Sequence, residues 1–152
     1  MSEHSEKAVE LFKRGYNCSQ AVVGAFSDDL NLDFSTAMKI SSSFGGGMGR
    51  LREVCGALTG SFIVAGLMFG YDDPSQTGLK SEHYSLIREL ADKFRQLNGS
   101  IICKELLGAA PPVNEPYIRD KAYYKKRPCA ELVRLSVEAL ERVIEEKMSK
   151  KG

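Results

Sequence analysis

No two of the four cysteines in this 152-residue chain form a CxxC pair: they stand at Cys18, Cys55, Cys103 and Cys129, each far from the next. That spacing excludes the local dithiol motif and leaves any shared sulfur chemistry to the fold. Other catalytic signatures are also missing. There is no HExxH run, no Ser-His-Asp arrangement, no paired carboxylates and no GxxxxGK[ST] loop, which removes the usual metallopeptidase, hydrolase and P-loop readings. No internal repeat is present, and nothing alternates apolar and polar residues like a half-buried strand. Neither sign of charge is in excess. With 21 Lys and Arg against 20 Asp and Glu the net charge is +1, so no global field draws the chain to nucleic acid, an anionic membrane or an acidic substrate.

The N-terminal residues MSEHSEKAVELFKRG are charged and amphipathic, and they lack the basic and apolar regions of a secretory leader. A cytoplasmic protein without membrane insertion is expected. In that reducing compartment four cysteines point to catalysis, redox sensing or metal binding rather than to permanent cross-links. The one strongly apolar stretch, Val54 to Tyr71, approaches membrane-spanning length but is broken by Gly56, Thr59, Gly60, Ser61 and Gly66. It reads as a buried central helix whose glycines at 56 and 60 let a helix, loop or cofactor come close to the backbone.

What the chain does contain is helical periodicity. A helix is predicted from about Ser5 to Arg14 on Ala8, Leu11 and Phe12, ended by Gly15. Asn17 caps a second helix from Cys18 to about Leu30. A short third starts at Ser35 with Ala37, Met38 and Ile40. The loop Phe44-Gly45-Gly46-Gly47-Met48-Gly49-Arg50 then delivers the chain into the central helix at Val54 or Cys55. A long helix from about Leu79 to Leu97 places His83, Leu86, Ile87, Leu90, Phe94 and Leu97 on one side and is stopped by Asn98-Gly99. Ser100 caps a short helix holding Ile101, Cys103, Leu106 and Leu107. After the irregular stretch AAPPVNEPYIRDKAYYKKRP, a last helix runs from Pro128 to about Met148. The expected architecture is a single all-α domain, residues 1–152, bundled around the glycine-bearing central helix.

Each cysteine opens a helical stripe, so all four thiols are expected to face inward on one shared site. A helix's first turn and its dipole favour the thiolate, the reactive and metal-binding form. Arg50 and Arg52 before Cys55, Lys104 after Cys103, and Lys125, Lys126 and Arg127 before Cys129 would offset thiolate charge. Four such sulfurs can hold zinc, or the irons of a [2Fe–2S] or [4Fe–4S] cluster. Alternatively two of them form a dithiol couple, with Cys55 as the best nucleophile and another as resolving thiol. A third class is a non-catalytic helical interaction module, since free cysteine is also an ordinary buried filler.

Tyr16-Asn17-Cys18-Ser19-Gln20-Ala21, the Phe44-to-Gly49 loop, Cys55-Gly56-Ala57-Leu58-Thr59-Gly60 and then Cys103 and Cys129 in order closely resemble the C_GCAxxG_C_C family. These are redox-active proteins with four cysteines and a CGAxxG motif, mostly small and bacterial or archaeal. The resemblance covers nearly the whole chain, and it implies a shared redox or metal-binding role for Cys18, Cys55, Cys103 and Cys129.

The glycine loop, Gly45, Gly46, Gly47 and Gly49 with Gly56, is expected to bring backbone close to the sulfur site and donate hydrogen bonds to it. As a nucleotide cradle it is a weak match, because no strand precedes it. His83 is a candidate fifth ligand or proton carrier, though more simply a satisfied boundary residue, and His4 reads as tail. Tyr117, Tyr123 and Tyr124 among Arg119, Lys121, Lys125, Lys126 and Arg127 suit a docking surface for an acidic redox partner, or merely a solvated loop, better than a nucleic-acid strip. A redox partner protein is therefore expected, nucleic acid is not, and a homo-oligomer stays open.

Overall fold

The computed structural model describes residues 1–108 and 129–151, with the side chain of Lys151 left out of account. The described residues form seven helices: α1 (Glu3–Lys13), α2 (Cys18–Phe26), α3 (Phe34–Ser41), α4 (Gly56–Phe69), α5 (Thr77–Asn98), α6 (Cys103–Leu107) and α7 (Cys129–Lys151). A 3-10 turn at Ser42–Phe44 and a tight turn over Gly45–Met48 lie between α3 and α4. Among the described residues there is no strand, only an isolated antiparallel bridge between Val54 and Ile102. The all-α expectation holds. The proline-containing stretch, with Tyr117, Tyr123, Tyr124, Lys125, Lys126, Arg127 and Pro128, lies outside the described residues.

Local chemistry sets the helix starts. Ser2 Oγ accepts the Ser5 amide at 3.1 Å, with Glu3 and Glu6 in the first turn of α1 where the helix dipole favours them. Asp33 Oδ2 accepts the Thr36 amide at 3.0 Å and caps α3. Gly99, at φ +88°, closes α5 with its amide on the Arg95 carbonyl at 2.7 Å. Helix α2 ends at Phe26, short of the expected Leu30, and continues as turns: Leu30 and Leu32 donate their amides to the carbonyls of Phe26 and Ser27.

Helix α2 packs on α1, α4 and α7, α7 also packs on α1 and α4, α3 leans on α2, and α5 covers α4 and α7. Phe12, Val22, Leu58, Leu90, Phe94, Val133, Val137 and Leu140 are fully buried in one continuous core. Each such side chain contributes about 1.5–3 kcal/mol of hydrophobic stabilisation relative to exposure. Between α4 and α7 the core is polar at one point. Ser136 Oγ donates to the Ala57 carbonyl at 2.8 Å and shares a 2.8 Å hydrogen bond with Ser61 Oγ, which fixes the register of the two helices without leaving a buried hydroxyl unmet.

Two apolar assignments need correcting. The central helix is buried over Gly56–Ser61 and at Val64 and Ala65, with Phe62 and Ile63 partly buried, but its last turn is not: Leu67 is 50% exposed and Met68 is also exposed. Its neighbours cover mainly the first ten residues, a limit of packing that an apolar run cannot reveal. Leu97, placed on the core side of α5, is exposed for the same reason: the buried stripe is Leu86, Leu90 and Phe94. No helix among the described residues is long and apolar enough to cross a membrane.

His4 is more than tail. Its ring stacks on Phe26 at 4.2 Å, while Nε2 meets Asp29 and Nδ1 lies 3.2 Å from Glu141 Oε2. Burial alone would lower the imidazole pKa, but the hydrogen bonds and charges of Asp29 and Glu141 outweigh it and raise the value above the ordinary 6.5. A raised folded-state value means that stability is fully present below about pH 6.5 and is lost as pH rises through the folded-state value. We expect His4→Gln to cost more stability at about pH 6 than at about pH 9 in urea unfolding. An equal cost at both would show that the two carboxylates do not hold the imidazolium.

Candidate functional site

The cysteines are positioned by four separate devices. Cys18 is the first residue of α2, held by a capping box in which Asn17 Oδ1 accepts the Gln20 amide at 2.8 Å and Gln20 Oε1 accepts the Asn17 amide at 3.1 Å. Cys55 is the N-cap residue of α4 and donates its amide to the Ile101 carbonyl at 2.8 Å. Cys103 opens α6 and donates its amide to the Glu53 carbonyl at 2.6 Å. Cys129 opens α7. Residues 52–55 thus pair with 101–104 and tie the Cys55 and Cys103 backbones together, a short-range consequence of the Val54–Ile102 bridge.

All four cysteines line one cavity of about 390 Å³, and so do Gly45, Gly46, Gly47, Gly49 and Gly56. Arg50 and Arg52 complete its polar side. Cys55, Cys103 and Cys129 are buried and Cys18 is intermediate; none of the four is in a disulfide. Among the described residues no three or more His, Cys, Asp or Glu side chains are grouped as ligands for a metal ion.

At Cys18 and Cys55 the helix-start preference for thiolate is outweighed. Hydrogen bonding to Cys129, then burial, then the charges of Cys129, Cys55 and Cys103 raise the Cys18 thiol well above its ordinary range. Burial is the largest influence on Cys55. The amides of Ala57 and Leu58 at the helix start pull its value down, but burial and the neighbouring Cys103 and Cys129 push it up to about 12. The helix ends act in the anticipated direction, yet desolvation and crowding of like groups are stronger. Cys55 as found is therefore a poor free nucleophile, and Cys18 is in hydrogen-bond contact with Cys129.

The glycine loop is built around close approach. A Cβ on Gly47 would fall 2.7 Å from Cys103 Cβ and from the Glu53 amide nitrogen. One on Gly56 would fall 2.8 Å from the Phe44 carbonyl oxygen and 3.4 Å from Cys18 Cβ. Backbone therefore packs directly on two of the cysteines. The loop's carbonyls are used internally, those of Gly46 and Gly47 accepting the amides of Arg52 and Glu53 at 3.2 and 3.0 Å. Amides of the first turn of α4, at Ala57 and Leu58, act on the Cys55 sulfur.

Arg52 lies near a different cysteine from the one its sequence position suggests. It precedes Cys55, but its Nη1 lies 3.8 Å from Cys103 Sγ, because the 52–55 strap runs antiparallel to 101–104. His83 does not line the cavity. It sits edge-on to Tyr71 at 6.4 Å, with its pKa lowered by burial and by Lys147.

Among the described residues, an all-helical fold with a cavity lined by four cysteines from four elements defines a cysteine-centred helical protein. The profile of a family described as "Putative redox-active protein (C_GCAxxG_C_C)" matches residues 16–143, and the chain belongs to that family. It is also 30% identical over 147 residues to an uncharacterised protein of Archaeoglobus fulgidus, covering 90% of this chain and 92% of that one. No solved structure matches it.

Proposed function

We propose that the protein is a small electron carrier whose four cysteines hold one iron–sulfur centre and exchange electrons with a protein partner. The observation that carries this reading is the single cavity lined by Cys18, Cys55, Cys103 and Cys129. The donor set is soft thiol sulfur throughout, and Gly47 and Gly56 bring backbone against Cys103 and Cys18 where a side chain would collide. An iron–sulfur centre, when bound, supplies reversible one-electron chemistry. Zinc would suit the same donors but has no redox chemistry, which fits a redox-active family less well. A cluster also divides its ligands among several irons, whereas one zinc ion draws all four to a single point.

The chain's own residues do the rest. The Asn17–Gln20 box and the Ile101 and Glu53 carbonyls fix the backbones that carry Cys18, Cys55 and Cys103. The amides of Ala57 and Leu58 support negative charge on Cys55. Burial keeps water from Cys55, Cys103 and Cys129. Because burial and crowding keep Cys18 and Cys55 protonated, loading the site releases protons and is favoured as pH rises.

A second reading rests on the hydrogen bond between Cys18 and Cys129. That pair would give up two electrons and two protons to an external oxidant and form a disulfide. The deciding experiment is iron, zinc and acid-labile sulfide per chain, with an absorption spectrum, on protein purified without air. We expect iron with sulfide and a spectrum that bleaches on reduction. Zinc alone rejects electron transfer by a centre. Metal-free protein that loses two thiols on oxidation, mapped to Cys18 and Cys129, establishes the second reading, and inert metal-free thiols leave a helical interaction module.

A further inference from the structure

Between Gly46 and Arg52 the backbone makes an uncommon excursion. Gly46, Gly47, Met48, Gly49 and Arg50 all have φ between +58° and +70°, a left-handed turn, and Arg52 follows at +62°. Glycine serves this conformation at 46, 47 and 49, and asparagine tolerates it. Arginine is an unfavourable choice at 52. It is also costly for a second reason: Arg52 is only 7% exposed, and a buried guanidinium must recover its lost hydration. The backbone is pinned in place from both sides, with the Arg52 amide on the Gly46 carbonyl at 3.2 Å and the Lys104 amide on the Arg52 carbonyl at 3.3 Å. Glycine would satisfy every one of these backbone constraints without strain. What glycine could not supply is the guanidinium beside Cys103 Sγ, on the wall of the four-cysteine cavity. An outlier retained in spite of two costs at a chemically loaded site points to a role for the side chain itself.

We propose that Arg52 is a positioning residue: its guanidinium holds the Cys103 sulfur on the cavity and offsets the negative charge that a one-electron reductant adds there. The redox half of this inference rests on the electron-carrier reading; the Cys103 half stands without it. Removing the cation leaves the reduced site with less compensation, so reduction becomes harder.

The test compares Arg52→Gly and Arg52→Asn, which suit the left-handed backbone, with Arg52→Lys, which keeps the charge. Three readouts are taken: the thermal unfolding midpoint, the reduction equilibrium by anaerobic dithionite titration, and the rate at which iodoacetamide modifies Cys103 in metal-free protein, followed by mass spectrometry. Glycine and asparagine variants should unfold cooperatively and show a reduction equilibrium about tenfold less favourable, equivalent to about 59 mV for one electron. Their Cys103 modification should slow about tenfold, and lysine should recover most of both effects. Reduction and Cys103 reactivity within twofold of the parent in folded glycine or asparagine variants would overturn the proposal. If the parent has no redox couple, the electron-carrier reading fails by itself, and the Cys103 rates still decide the role of Arg52. Should the glycine variant not fold, the asparagine and lysine pair decides it in the same way.

Discussion

Replacing Gly47 by valine removes the four-cysteine site and lowers stability by about 3–5 kcal/mol, the sum of left-handed strain and overpacking against atoms that cannot yield. Gly47 has φ +70°, and the first side-chain carbon would sit 2.7 Å from Cys103 Cβ and the Glu53 nitrogen, and 2.8 Å from Arg52 Cα. Two of those three atoms are backbone, so no rotamer change relieves the overlap. The strap carrying Arg52 and Glu53 must move, and the Glu53 carbonyl that accepts the Cys103 amide moves with it. Gly49→Ala is the control. It shares the left-handed turn at φ +58°, but a Cβ there would come no nearer than 4.0 Å, to the Ser43 carbonyl oxygen. It should therefore cost about 1–2 kcal/mol of strain and leave the site intact. Urea unfolding gives the stabilities, and the rate and extent of cysteine modification report the site; equal effects of the two substitutions would show that strain, not close approach to Cys103, governs the loop.

Gly60→Val should cost about 2–3 kcal/mol through overpacking and displace Cys18. A Cβ at position 60 would meet the Ser19 carbonyl oxygen at 2.9 Å, Ser19 Cα at 3.1 Å and Val22 Cβ at 3.1 Å, so α2 and α4 touch almost backbone to backbone. Separating them shifts the first turn of α2, where Cys18 sits. Gly66 lies in the same helix with nothing within 4 Å of its Cβ position, and Gly66→Ala should stabilise the protein by up to about 1 kcal/mol through helix propensity alone. Thermal unfolding of the two variants checks the pair. A stabilised or neutral Gly60 variant would mean that α2 and α4 have room to part, and the glycine strip would lose its purpose in holding Cys18 beside α4.

The sequence made the helical architecture legible because its signals are local. Asn17 and Gln20, three apart, announce the cap of the Cys18 helix, and the stripes behind Cys55, Cys103 and Cys129 locate three more helix starts. That all four cysteines line one cavity is in keeping with their placement at apolar helix beginnings. What stayed hidden depends on partners distant in the chain. The Arg52–Cys103 contact follows from an antiparallel strap that no periodicity encodes. The raised Cys18 and Cys55 values come from burial and from other cysteines, which override the helix-end effect that the sequence does suggest. His4 finds Phe26, Asp29 and Glu141 only after α1 packs beside α2 and α7. The left-handed turn from Gly46 to Arg50 is readable as a glycine loop but not as an excursion that also carries Met48 and Arg50, with Arg52 left-handed just beyond it.

The central claim is that four cysteines form one centre rather than two pairs or a chance gathering of buried thiols. It is tested most directly by single Cys→Ser substitutions at 18, 55, 103 and 129, each purified without air and compared with the parent for bound iron and sulfide and for the absorption spectrum. The account predicts that each substitution alone removes or alters the same spectrum and lowers the metal content. Three variants that keep the parent's spectrum and metal content would contradict it.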